Sequence, residues 1–437
     1  MSNGFPRGIF PHGRQVSILG ILCALCIFTY VSPVRTPFDT QPYALIMACL
    51  IIVVKLDRSA FLGLPTPLLA FFAVLFAAVI SWISLGATLV GARSLAGYAT
   101  TALVATAVYL VAHQRLGYMV PISSLVWLAF GTIQGLVSPD FGHQILSRLS
   151  TSENRGVTSL AVEPSMYAIV CVFLFLLNDL SWIRGEYSRR VYLTTAGCLA
   201  VQVWLAGSAL GFLLVLVYLG SRAVFSGSFF RTIVRVAGAV LAGTAVLYAY
   251  LHVSALQDTR ASQLISRGFE SPGSFIYSDQ SVAERFFALQ ASHQSLFTNA
   301  GVGFGLGSWA DNLSEIVGHS PGLIRYSVTL QGQQRVMSGF GTAVFELGLV
   351  GLLLPAALVL VLVAIARNTA LSKAHRSWGL YVGVTSLVVM ECAIPLAFPL
   401  FGFILGLLVA LSRNRLAMFR IDNASPATVG GTVDAAF

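Results

Sequence analysis

The chain has 437 residues, 10% of them charged, a mean hydropathy of +0.81 and a formal net charge of +9. Soluble domains carry roughly 25% charged residues, so a water-soluble fold is excluded and much of the surface must face lipid. The basic residues are scattered between apolar runs, which excludes a nucleic-acid-binding stripe and fits membrane topology.

A bilayer core takes about 20 apolar residues per helix. On that measure spans are predicted at 16–32, 42–55, 64–86, 95–112, 118–137, 157–178, 191–206, 208–221, 232–251, 339–366, 377–394 and 396–412. The first run lacks a small-residue cleavage site and reads as an anchor. The pair around Gly207-Ser208 reads as one broken helix or two. The last pair, divided by Pro395, reads as two spans or a re-entrant pair. The expected fold is thus all-α, a bundle of ten to twelve transmembrane helices. Six cysteines lie in apolar runs and read as small buried hydrophobes, with no disulfide or metal spacing.

Seventeen of the 26 Lys and Arg residues fall in segments on one side if the N-terminus is inside, and four in the short loops opposite. Such a bias places both termini in the cytoplasm. It also puts a long polar loop, 252–338, outside. Loops longer than about 12–15 residues are usually functional or disordered. This one contains Phe286, Phe287, Leu289, Leu296, Phe297 and Trp309, which argues for packing and partial helicity. The expected organisation is a bundle at 1–251 with about nine spans, the loop at 252–338, further helices at 339–412, and a disordered tail at 413–437.

Three stretches carry chemistry. The first, Asn154-Arg155-Gly156 to Glu163-Pro164-Ser165, places a carboxylate one to two turns inside a predicted span. An unpaired charge there costs a few kcal/mol, so Glu163 needs a polar cavity or a partner. Arg155 is the nearest candidate. Pro164 cannot donate a helical hydrogen bond and is expected to distort the backbone. Glu163 serves either chemistry or helix-to-helix tethering.

The second stretch is Glu284-Arg285 to His293-Gln294, followed by Gly301-Val-Gly303-Phe-Gly305-Leu-Gly307. Val282, Phe286, Leu289 and Leu296 recur at helical spacing, with His293 in their stripe. Residues eight apart on a helix differ by about 80° in direction, so Arg285 and His293 address one site. A cation beside an imidazole suits anion binding with proton transfer. The alternative is a packing histidine. The glycine run lacks the Lys-Ser/Thr of a phosphate loop and reads as a tight turn.

The third is Phe345-Glu346-Leu-Gly-Leu-Val-Gly351, with Glu391 a related case near the end of the next span. Either carboxylate is a candidate partner for a loop arginine. For Glu391 a helix-end polar contact is the simpler reading. The chain has no Asp-x-Asp, Walker or His-Glu-x-x-His motif, so no metal or cofactor is expected.

At these three stretches, and in its layout, the chain resembles the O-antigen polymerase/ligase superfamily of bacterial envelope glycosyltransferases. It is more similar to the exopolysaccharide polymerases than to the ligases. The resemblance implies a multi-pass protein of the bacterial inner membrane. It would polymerise undecaprenyl diphosphate-linked saccharide repeat units at the periplasmic face, alongside a flippase and a chain-length regulator. It also implies roles. Arg155, Arg285, Arg260 and Arg335 would hold the diphosphate, and Glu163 or His293 would orient or deprotonate the acceptor hydroxyl. Glu346, Gly303 and Gly305 would support the site. The competing readings are ligase-type transfer, a flippase or transporter with intramembrane carboxylates, and a non-catalytic assembly scaffold.

Overall fold

The computed structural model describes residues 17–32, 40–55, 63–146, 156–226, 280–318 and 336–416. The predicted span at 232–251, most of the long loop and most of the tail lie outside these residues, as do Arg155, Arg260 and Arg335.

The described residues are helical, with only an isolated bridge between Val31 and Leu146. In chain order the helices are α1 Ile18–Ile27, α2 Tyr43–Lys55, α3 Thr66–Ser84, α4 Leu89–Val111, α5 Met119–Leu136, α6 Pro164–Ile183, α7 Arg189–Ala206 and α8 Ala209–Ser226. They continue as α9 Gln280–Thr298, α10 Trp309–Gly318, α11 Gly339–Leu347, α12 Leu353–Arg367, α13 Lys373–Cys392 and α14 Pro399–Ser412. Five of them, α3, α4, α5, α6 and α8, are long and apolar enough to cross a bilayer, and α11 with α12 forms a bent sixth candidate. The protein is therefore a helical membrane protein.

Helices α4, α6 and α14 form the centre. α14 lies on α4 through Gly402 and Gly406, where a Cβ at Gly402 would stand 3.1 Å from the Thr101 carbonyl. Small residues four apart let backbones approach closely, the usual route to helix association in lipid. Thr101 adds a hydrogen bond to the Leu396 carbonyl at 2.8 Å. α3 and α8 keep most of their surface outward, as lipid-facing helices do.

Several expectations change. α7 and α8 are two helices, broken at Gly207 in the left-handed conformation (φ +55°). The predicted span 339–366 is bent by 101° between Gly339–Val350 and Leu353–Arg367. Of the cysteines, Cys49 is exposed and Cys198 and Cys392 are half-buried.

The largest correction concerns 157–178. Helix α6 begins only at Pro164. The preceding residues turn irregularly between α5 and α7, with Ser159 at φ +52°. Irregular backbone inside a membrane protein must find its partners within the protein. Gln134 of α5 supplies them: its Nε2 donates to the Ser159 carbonyl (2.9 Å) and the Phe141 carbonyl (2.7 Å), and its Oε1 accepts from the Ser159 amide (2.6 Å). Val157 donates to the Leu205 carbonyl of α7 at 3.0 Å. Glu163 is consequently the residue before the helix, in extended conformation, and Pro164 occupies the first helical position, where no hydrogen bond is lost.

Candidate functional site

α6, flanked by Glu163 and Arg184, lies beside α13, which begins at Lys373 and carries Glu391 in its last turn. The Trp378 indole donates to the Leu176 carbonyl at 2.9 Å, which sets the start of α13 against the second half of α6. Their other ends, bearing Glu163 and Glu391, both meet α9. The bundle thus has a basic end, with Arg184, Arg367, Lys373, Arg376 and Arg413, and an opposite end where the carboxylates and α9 converge.

At that opposite end Arg285 Nη2 donates to Glu163 Oε1 at 3.2 Å and to Ser165 Oγ at 3.2 Å. The Ser165 hydroxyl donates to the same Glu163 oxygen. Both charged side chains are mostly buried, at 16% and 14% exposure. Arg285 Nη1 is buried and has no hydrogen-bond partner among the described residues. The partner expected for Glu163 was Arg155. Its partner here is Arg285, from a helix more than a hundred residues further on.

Eight residues along α9, His293 Nε2 donates to Glu391 Oε1 at 2.5 Å. The imidazole is 41% exposed. The Glu391 hydrogen bond raises the His293 pKa above the ordinary histidine value. Burial opposes the rise, and the Glu391 charge adds to it. Arg285 and His293 therefore both face the bundle, about 12 Å apart along the helix axis. Arg285 lies within electrostatic range of Cys392, the neighbour of Glu391. Glu391, at the end of α13, makes the helix-end polar contact expected of it, and its partner is His293 rather than a loop arginine.

The buried face of α9 is not the apolar stripe read from the sequence. Phe286 is 44% exposed and Phe297 87% exposed. The packed face is Ala283, Phe287, Ala288, Ala291, Ser292 and Ser295, mostly small residues that admit the glycines of α11. A second apolar cluster, apart from the main core, joins Phe287 and Ala291 to Trp309, Leu313 and Ile316 of α10 and to Phe345.

Glu346 was expected to pair with a loop arginine. It is instead buried against neutral donors: the Tyr98 hydroxyl at 2.9 Å and the Gly307 amide at 2.8 Å. It thereby latches the glycine-rich turn onto α4 and α11. The turn also pairs by backbone, with Phe304 donating to the Phe345 carbonyl (2.9 Å) and Gly305 to the Glu346 carbonyl (3.0 Å). A side chain at Gly303 would run into the Glu346 carbonyl, and Gly305 sits at φ +94°. Both glycines are there because the backbone demands them.

One cluster escaped the sequence reading. Asp179, near the basic end of α6, accepts from Tyr192 (3.0 Å), Tyr218 (2.7 Å) and Tyr381 (2.7 Å) and pairs with Arg222 at 3.2 Å. These donors come from α7, α8 and α13. The signal was an Asn178-Asp179 pair at the edge of an apolar run. It ties four helices together, far from Glu163 along α6.

Comparison with known family models and with curated proteins gives no match. What the residues themselves offer is an anchored cation with a buried, unpartnered donor among the described residues and a carboxylate-held imidazole on one helix, at the end of a membrane bundle.

Proposed function

We propose that this protein is a metal-independent membrane glycosyltransferase. It polymerises undecaprenyl diphosphate-linked saccharide units at the periplasmic face of the bacterial inner membrane. The observation that carries this reading is Arg285, held by Glu163 and Ser165 with its buried Nη1 left unpartnered among the described residues. A guanidinium fixed in place with a spare donor is suited to a phosphate oxygen.

The reaction assigns each group a part. An acceptor sugar hydroxyl attacks the anomeric carbon of the lipid-linked donor. The bond from that carbon to the diphosphate oxygen breaks, and the lipid diphosphate leaves with its electron pair. Arg285 meets the developing negative charge, where a preorganised donor is most effective. Arg155, Arg260 and Arg335 are the further cations this reading assigns to the diphosphate. The hydroxyl proton passes to neutral His293 through Nδ1, because Nε2 is engaged by Glu391. Glu391 orients the ring. Glu163 serves as the anchor of Arg285 rather than as the base.

Both termini are then cytoplasmic. The basic end of the bundle faces inward, in keeping with the positive-inside rule. The test is extension of a lipid diphosphate-linked repeat unit by the purified protein, lost on Arg285→Ala.

A further inference from the structure

Three segments far apart in sequence meet at one corner of the molecule. They are 83–92 at the turn from α3 to α4, 294–310 from the end of α9 through the glycine turn, and 347–353 at the bend before α12. Gly305 abuts Leu85, Gly307 abuts Val90, and a Cβ at Gly301 would stand 2.9 Å from Leu349. The Leu349 amide donates to the Gly301 carbonyl at 2.9 Å. None of the three segments contains a charged residue.

The largest of their outward side chains are apolar, beside the small Ser84, Ala87, Thr88 and Ala300. Phe297 is 87% exposed, Leu89 78%, Val302 67% and Leu349 61%. A contiguous apolar patch of this kind marks an interaction surface. The patch continues directly into the outward stripe of α3, where Phe76, Ile80 and Ile83 stand exposed at helical spacing on a helix long and apolar enough to span. That stripe faces lipid. α10, just beyond the corner, instead presents Asp311 and Glu315 outward. Trp82, with its indole donating to the Thr88 carbonyl, sits at the junction, as aromatic residues do at membrane interfaces.

We propose that this corner is seated in the bilayer, with Phe297 and Val302 at the glycerol and upper acyl-chain level of the phospholipid. The segment 294–310 is then a membrane-dipping turn and not a water-facing loop. The Glu346 latch holds it at that depth. Phe297 lies four residues after His293, about one helical turn, so the seating puts the His293–Glu391 pair within about one turn of the glycerol level. The seating does not depend on the glycosyl transfer reading.

The test uses the full-length protein in phospholipid vesicles containing a phospholipid with a diazirine on the acyl chain near the glycerol. After irradiation, adducts are mapped by peptide. Adducts are expected on 296–306 as well as on 76–83, and absent from 311–315. Phe297→Asp with Val302→Asp should abolish the adduct on 296–306 and leave that on 76–83. A labelled 76–83 beside an unlabelled 296–306 overturns the proposal, whether water, a second copy or another protein covers the corner. So does an adduct that survives the double substitution.

Discussion

Arg285 and Glu163 stand 122 residues apart in the chain and 3.2 Å apart in the fold. The pair fastens α9 to the start of α6 and fixes the guanidinium whose buried Nη1 has no partner among the described residues. Its two members should therefore be strongly coupled. Glu163→Ala and Arg285→Ala, singly and together, are expected to be non-additive in thermal stability by about 0.5–3 kcal/mol, the range for residues in contact. Additive losses would show that the two groups act independently.

The His293–Glu391 pair sets a pH dependence. Because Glu391 raises the His293 pKa, its contribution to stability is complete below the ordinary histidine value of 6.5 and is lost as pH rises through the raised one. A base must be neutral, so activity should rise with pH through that same raised value. Glu391→Gln removes the cause and should shift the rising limb to lower pH. A pH–rate profile on the two proteins checks this, and an unmoved limb would remove His293 from the base role.

The glycine turn depends on Glu346. Tyr98→Phe should destabilise by about 1 kcal/mol, one hydrogen bond. Glu346→Ala should cost more, since it leaves the Tyr98 hydroxyl and the Gly307 amide unpaired. Gly305→Ala meets a left-handed backbone, about 1–2 kcal/mol for an L-residue. Thermal unfolding in detergent ranks these variants, and limited proteolysis reports whether 299–308 is released.

Asp179 is a structural tie, and its loss should look different. Asp179→Ala leaves the buried Tyr218 and Tyr381 hydroxyls without their acceptor and takes the carboxylate from the half-buried Arg222, a loss of about 1–3 kcal/mol. The amount of folded protein in the membrane should fall, while activity per folded molecule holds. A full yield of folded but inactive protein would place Asp179 in the chemistry instead.

The helical bundle was legible from composition and apolar runs, because lipid leaves a chain few ways to satisfy its backbone. Glu163 was legible as a charge in a costly place, and Arg285 and His293 as two groups on one side of a helix. Their partners were not. Arg285 and Glu391 meet Glu163 and His293 through packing across distant segments, and no local spacing encodes that. The start of α6 was misread because Val157 to Glu163 has helical composition. What holds it out of a helix is Gln134, on another element. The face of α9 was misread because small residues, not large ones, pack it. Ala291 and Ser292 carry little hydropathy signal, yet both are buried, and Ser292 is the α9 residue against Gly341. Asp179 was overlooked because its four partners lie on three other helices.

The most direct measurement takes the purified protein in phospholipid vesicles with an undecaprenyl diphosphate-linked repeat unit and no added nucleotide sugar or divalent metal. The length of the lipid-linked glycan is then followed. The account predicts lengthening by whole repeat units, reduced about 10²–10³-fold in Arg285→Ala, the usual cost of losing a preorganised donor to developing charge, with the folded protein retained. No lengthening by the wild-type protein, or equal lengthening by Arg285→Ala, would contradict it.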